Sequence, residues 1–165
     1  MKIDISRIAK VDGASMDVSV STVMEGLSDM ANGFEFNDPV SFAGTLLNTG
    51  GVLKLEGSLT AEYSSKCDRC LKDIKGVMAL PVKEDFLSSD KATDTEAYIY
   101  EGNYVSIDKV LKDNVVLNLP ARQLCKEDCK GLCAVCGNDF NIGTCQCGSD
   151  DINPRMTALK DFFKV

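Results

Sequence analysis

The sequence predicts an α+β fold built mainly on antiparallel β-sheet, with one or two short helices and a cysteine-rich segment towards its C-terminal end. Three observations predict it. Apolar and polar residues alternate with a period of two through most of residues 2–105, the spacing of half-buried strands. The stretch from Ile107 to Leu119 changes to helical spacing. From Cys125 to Cys147 both patterns stop, and six cysteines and three glycines occupy 23 residues with few large apolar side chains. With six or more strands and few helices to cover them, the sheet is expected to curl into a partial barrel.

The elements follow in chain order. Lys2-Ile3-Asp4-Ile5-Ser6-Arg7-Ile8 alternates and reads as a first strand, and Met16 to Ser21 as a second. Asn32-Gly33 and Asn37-Asp38-Pro39 mark turns. Val40 to Leu47 and Val52 to Tyr63 flank Asn48-Thr49-Gly50-Gly51, a hairpin loop. Gly57, inside the second arm, suggests a bulge. That arm leads straight into Cys67-Asp68-Arg69-Cys70. Asp73 to Phe86 reads as another strand, with Pro81 at a bend or sheet edge. Leu87 to Glu96 is rich in Ser, Asp and Thr and reads as an exposed acidic loop. Ala97 to Tyr100 is a short strand, which Glu101-Gly102-Asn103 turns towards Tyr104 and Val105. Ser106 is the expected N-cap of a helix whose Ile107, Val110, Leu111, Val115 and Leu117 share a face up to the Leu119-Pro120 stop. Asn153-Pro154 opens a short C-terminal helix with Met156, Leu159, Phe162 and Phe163 on one side. The expected organisation is a β-rich domain over 1–120, a metal-binding segment over 121–150, and a helix over 151–165 that packs back on the domain.

Composition narrows the chemistry. The 165 residues are 44% hydrophobic, enough for a core without disulfide staples. Asp4 and Arg7 interrupt any apolar run at the start, so no signal peptide is expected. No uncharged apolar stretch approaches the length of a membrane span. The expected compartment is the cytoplasm, where thiols stay reduced and eight cysteines point to metal or redox chemistry. The formal charge of −7 argues against nucleic-acid binding through bulk electrostatics. A basic protein partner or a local basic patch would have to carry any such connection.

The cysteines are spaced Cys67-x2-Cys70, Cys125-x3-Cys129-x3-Cys133-x2-Cys136 and Cys145-x-Cys147. A two-residue gap lets one tight turn present two thiolates to one ion, and Gly137 supplies a left-handed residue just after it. The chain has no histidine, so a full site must be all-cysteine unless a carboxylate intrudes. Zinc, two ions by this count of ligands, suits such sets. Cys133, Cys136, Cys145 and Cys147 form a self-contained set that needs only a short loop closure. Cys67, Cys70, Cys125 and Cys129 then form a second set, brought together by tertiary structure. A crossed arrangement, with Cys67 and Cys70 joined to Cys133 and Cys136, stays open. So do a redox dithiol and an iron–sulfur cluster. An all-thiolate site is closed to water, and no general base or phosphate-binding loop stands out, so no active site is found. Basic residues gather near the cysteines: Lys66, Arg69, Lys72, Arg122, Lys126 and Lys130 are candidates for RNA or protein contact. Asp68, Glu127 and Asp128 are interleaved with them, as on an ordinary solvated face.

Cys129-Lys130-Gly131-Leu132-Cys133-Ala134-Val135-Cys136-Gly137-Asn138, followed by Asn141 and Cys145-Gln146-Cys147, resembles the large ribosomal RNA subunit accumulation (YceD-like) family. That family carries a Cys-Lys-Gly-Leu-Cys-Pro-x-Cys-Gly motif, a Leu-Asn pair and a closing Cys-x-Cys. Cys67-Asp68-Arg69-Cys70, the Val115 to Pro120 run, and Asn153-Pro154-Arg155-Met156-Thr157-Ala158-Leu159-Lys160 are similar to further family elements. Ala134, Phe140 and Asn153 depart from the usual Pro, Leu and Asp, and none of the three is a candidate ligand. The resemblance implies a bacterial, non-enzymatic factor for accumulation of large-subunit (23S) ribosomal RNA and for large-subunit assembly. It implies a ribosomal protein or a ribosomal RNA precursor as partner. The alternative is a redox-responsive zinc thiol protein.

Overall fold

The computed structural model describes residues 1–31, 33–91 and 97–147. The expected C-terminal helix over 151–165 lies outside the described residues, as does the second half, 92–96, of the expected acidic loop. The chain runs β1 (Lys2–Asp4), β2 (Ser15–Thr22), α1 (Leu27–Met30), β3 (Val40–Thr49), β4 (Val52–Lys66), β5 (Asp73–Ser88), β6 (Tyr98–Tyr100), β7 (Tyr104–Ser106) and α2 (Asp108–Leu117). Five strands form one sheet in the order β2-β3-β4-β5-β6, and β1 pairs with β7 in a small second sheet. Among the described residues the architecture is thus mostly sheet with two short α-helices. Among the described residues the larger sheet is open, not a closed barrel.

The β3–β4 hairpin is tighter than the sequence suggests. Asn48 and Thr49 stay in β3, and only Gly50-Gly51 forms the turn, with φ of 63° and 89°. Positive φ at both central residues is the mirror-image turn that matches strand twist. Buried Asn48 secures it, donating to the Ile8 carbonyl at 2.7 Å and accepting from Gly51 N–H at 2.9 Å. Gly57 makes no bulge. It faces Gly44 in an unbroken register, and the Phe42 ring lies across both. A Cβ on either glycine would come within 2.7 Å of that ring. Close approach, the other reason for a glycine inside a strand, is the one that applies.

Other expectations change as well. The first strand stops at Asp4, because Asp4 Oδ1 accepts from Ser6 N–H at 2.9 Å and starts a turn. Ile8 and Ala9 N–H then both donate to the Ile5 carbonyl, and Ile5 and Ile8 bury together. The single-turn α1, entered through Gly26 at φ 74°, was not anticipated. Ser106 is the last residue of β7 rather than an N-cap, and Ile107 stands at the cap without a side-chain hydrogen bond. β5 continues to Ser88, past the expected loop boundary, and β6 lies parallel to it, not antiparallel. A period of two reports a strand's faces and is blind to its direction. Pro81 does sit on an edge: it pairs with Ser58 on one side, while β6 reaches only Phe86–Ser88 on the other.

One face of the sheet carries Phe42, Leu46, Leu53, Leu55, Leu59, Val82 and Phe86 into the core. Ile5, Leu27, Val105 and the Val110, Leu111 and Val115 face of α2 cover it. Each such side chain contributes about 1.5–3 kcal/mol by leaving water. β4 and β5 pair over fifteen positions, from Val52↔Leu87 to Lys66↔Asp73. Their far end reaches a separate small cluster of buried Cys67, Cys70 and Cys129, with Ile74, Leu124 and Leu132 packed on it.

Candidate metal centres

The tip of the β4–β5 hairpin is the turn Cys67-Asp68-Arg69-Cys70-Leu71. Cys67 N–H donates to the Lys72 carbonyl at 2.8 Å, and Leu71 N–H to the Cys67 carbonyl at 2.9 Å. Leu71, at φ 58°, is the one non-glycine residue with positive φ among the described residues. The second Cys-x2-Cys turn repeats this backbone. Cys133 N–H donates to the Asn138 carbonyl at 2.8 Å, Gly137 N–H to the Cys133 carbonyl at 2.9 Å, and Gly137 has φ 73°. In both turns the N–H groups two and three positions on lower the pKa of the leading thiol, those of Arg69 and Cys70 for Cys67 and those of Val135 and Cys136 for Cys133, and Cys125 N–H donates to Cys67 Sγ at 3.4 Å.

The eight sulfurs fall into two sets. Those of Cys67, Cys70, Cys125 and Cys129 lie within 4.8 Å of one another, and so do those of Cys133, Cys136, Cys145 and Cys147. Cys67 and Cys129 Sγ are 3.8 Å apart, and Cys70 and Cys125 Sγ are 3.5 Å apart. Four sulfurs at about 2.3 Å from a tetrahedral ion stand about 3.8 Å apart, whereas a disulfide needs about 2.05 Å. The donor set and its spacing therefore fit a metal ion in each group. The local and tertiary sets expected from the sequence are the ones that assemble, and the crossed arrangement is not.

Electrostatics point the same way. In the first set burial opposes ionisation of Cys67, but N–H groups from Cys125, Cys70 and Arg69 outweigh it and hold the thiol at about 6. The N–H groups of Cys136 and Val135 hold Cys133 at about 6 as well. At the opposite extreme, hydrogen bonding to Cys70 pushes Cys125 up to about 12, and hydrogen bonding to Cys136 does the same to Cys147. The first set thus favours the thiolates of Cys67 and Cys129 and disfavours those of Cys70 and Cys125, and the second favours that of Cys133 and disfavours those of Cys145 and Cys147. A divalent cation favours the thiolate form of all its ligands.

The two groups are joined by a short brace. Arg69 Nη1 donates to the Cys129 carbonyl at 2.6 Å, and the Arg69 carbonyl accepts from Leu132 N–H at 3.1 Å. Gly131, at φ 77°, lets this strand of chain pass: a Cβ there would stand 3.0 Å from the Arg69 carbonyl. Lys72 pairs with Asp139 at 2.9 Å, which holds the Asp139 carboxyl at about 2. Asn141 accepts from Lys130 N–H at 2.9 Å and donates through Nδ2 to Asp139 Oδ1 at 2.7 Å and to Cys129 Sγ at 3.5 Å.

The six basic candidates separate accordingly. Arg69 and Lys72 serve the brace, and Lys126 meets Asp128 at 3.7 Å. Lys66, Arg122 and Lys130 are exposed, and Lys66 lines an open cleft between the end of β4 and the segment after α2. Leu71, Asp139 and Asn141 were not singled out by chemistry in the sequence. The signal available was an Asp-x-Asn turn between Cys136 and Cys145.

An uncharacterized protein of Mycobacterium leprae is 28% identical over 133 residues, covering 77% of this chain and 60% of that protein. An uncharacterized Mycobacterium tuberculosis protein is 33% identical over 92 residues, or 53% of this chain and 44% of its own length. The chain thus spans only part of these mycobacterial relatives. The uncharacterized protein YlbN of Bacillus subtilis is 21% identical over 167 residues, covering 99% of this chain and 97% of its own length. No solved structure matches. The family described as large ribosomal RNA subunit accumulation protein YceD matches residues 55–163, a span that holds all eight cysteines. Both knuckles, the brace and the far half of the β4–β5 hairpin lie within that match, and the chain belongs to the YceD family.

Proposed function

We propose that this protein is a non-enzymatic, zinc-held factor for accumulation of large-subunit (23S) ribosomal RNA and for assembly of the large ribosomal subunit. The observation that carries it is the coincidence of the family match with two four-cysteine groups of tetrahedral spacing. In this proposal Cys67, Cys70, Cys125 and Cys129 hold one Zn²⁺, and Cys133, Cys136, Cys145 and Cys147 hold the other. The ions fasten a segment that has too little apolar surface to hold its own shape. Four thiolates leave zinc no open position for water, which supports a structural role. Cytoplasmic work on the ribosome would expose the thiols to reductant, where a metal rather than disulfides keeps them ordered.

The partner would be a basic ribosomal protein, or a ribosomal RNA precursor met through the exposed Lys66, Arg122, Lys126 and Lys130. The charge of −7 favours the protein. The test is deletion of the gene followed by quantification of large- against small-subunit ribosomal RNA. A fall in the large-subunit share supports the role, and an unchanged ratio refutes it. Zinc per chain before and after mild peroxide separates this from a redox-responsive zinc protein, which would release its metal.

A further inference from the structure

We infer that Asn141 is a positioning residue that couples the two metal centres, so that filling the Cys133 set raises the affinity of the Cys67 set. The inference rests on the proposal that both sets bind zinc. It adds that they do not bind independently.

The loop from Gly137 to Thr144 belongs to the second centre by chain connectivity, since it joins Cys136 to Cys145. Its contacts also belong to the first. Asn141 Nδ2 lies 3.5 Å from Cys129 Sγ, within reach of an N–H···S hydrogen bond. Of the four sulfurs of the first set, Cys129 is the one that a side chain of this loop reaches among the described residues. Asn141 is held there from three directions: its backbone N–H and its Nδ2 both donate to Asp139, and its Oδ1 accepts from Lys130 N–H. Asp139 in turn is tied to Lys72, two residues beyond Cys70. The Leu132–Asp139 bridge and the Phe140 N–H bond to the Gly131 carbonyl close the loop against the linker between Cys129 and Cys133.

Both ends of this loop, Cys136 and Cys145, belong to the second set, so an ion shared by Cys133, Cys136, Cys145 and Cys147 would fix both ends at once. Filling that set therefore orders the donor that Cys129 uses. An N–H aimed at a metal-bound thiolate stabilises its charge, and loss of such an outer-shell partner costs about 10–100-fold in metal affinity. Linkage makes the effect reciprocal: a filled first centre holds Asn141 and Asp139 in place and tightens the second.

The test uses the full chain and Co²⁺ as a spectroscopic probe, with Zn²⁺ competition for affinities. Three forms are compared with the native chain: Cys136→Ser/Cys147→Ser, which disables the second centre; Asn141→Asp; and the combination. Asn141→Asp keeps the shape and the acceptor for Lys130 but loses the Nδ2 donor to Cys129 sulfur and to Asp139, and places a carboxylate beside both. Disabling the second centre is expected to weaken the first about 10–100-fold. Asn141→Asp should weaken the first centre by a similar factor and leave four-thiolate cobalt spectra at both. It should also move the first centre's thiolate-to-cobalt band to longer wavelength, because an unshielded sulfur lone pair is easier to excite. In the combined variant the two losses should not multiply. Two ions bound with the first centre unchanged by either variant would overturn the coupling alone. Fewer than two ions on the native chain would overturn the zinc proposal and the coupling with it.

Discussion

The two Cys-x2-Cys knuckles share one backbone and differ in what surrounds it. Each closes with the same pair of hydrogen bonds and the same left-handed residue after its second cysteine. The first grows from the end of a fifteen-pair hairpin and buries Cys67 and Cys70. The second stands in a segment without regular strand or helix, where Cys133 is buried and Cys136 and Cys147 are exposed. The turn geometry follows from what a thiolate needs, which is N–H groups pointing at it. The surroundings decide how much strain that geometry can carry. The anchored knuckle tolerates Leu71 in the left-handed region, and the free one uses Gly137.

The largest expected effect comes from metal removal. Structural zinc contributes about 10–16 kcal/mol of apparent binding energy in small domains. Stripping the metal with a chelator should therefore raise amide hydrogen exchange steeply from Lys130 to Gln146, less at Cys67–Leu71, and little in the β3–β4 core. Equal protection of both knuckles after chelation would break the comparison.

Residues at the same knuckle position should differ next. Arg69 and Val135 each stand two residues after a leading cysteine. Arg69 bonds the Cys129 carbonyl, whereas the Val135 side chain is 74% exposed. Arg69→Ala should cost about 1.5–3 kcal/mol, the range for a charged hydrogen bond. Val135→Ala should stay within about 0.5 kcal/mol. Denaturant unfolding of the zinc-loaded forms measures both.

The smallest effects test the strain directly. A Cβ at Gly137 meets no atom within 4 Å, so the cost of Gly137→Ala is conformational. A left-handed L-residue costs about 1–2 kcal/mol, part of which is offset by the smaller freedom of the unfolded chain, about 0.5–1 kcal/mol. The expected loss in zinc affinity is up to about tenfold, or about 1.4 kcal/mol. Leu71→Gly should do the reverse, raising thermal stability by less than about 1 kcal/mol, since Leu71 is 62% exposed and gives up little packing. A loss on Leu71→Gly would show that its side chain does more than occupy a strained turn.

Much of this was legible in the sequence because it is local. Sulfur spacing and Gly137 announce the knuckles, and the alternation of Leu53, Leu55 and Leu59 announces the buried face of β4. The second cysteine set was also accessible by elimination, since a compact set of four leaves four others to find each other. What was hidden depends on tertiary neighbours. Gly57 looks the same whether it bulges or lies beneath Phe42. Asp4 looks like the outer residue of a strand until its carboxylate takes Ser6 N–H. Asn141 looks like a turn residue until Cys129 arrives beside it.

The hairpin that carries the first knuckle has a further consequence, for the accuracy of folding. β4 is the central strand of its sheet, and a slip of one residue would turn Leu53, Leu55, Leu59 and Ala61 to the wrong side. It is pinned at both ends by turns that admit a single alignment, Gly50-Gly51 before it and Cys67–Leu71 after it. An ion at the knuckle would act as a registration mark, rewarding only the pairing in which Cys67 and Cys70 share one side of the turn. Mispaired hairpins would fail to capture metal and would reopen, a form of proofreading that operates before the core has closed.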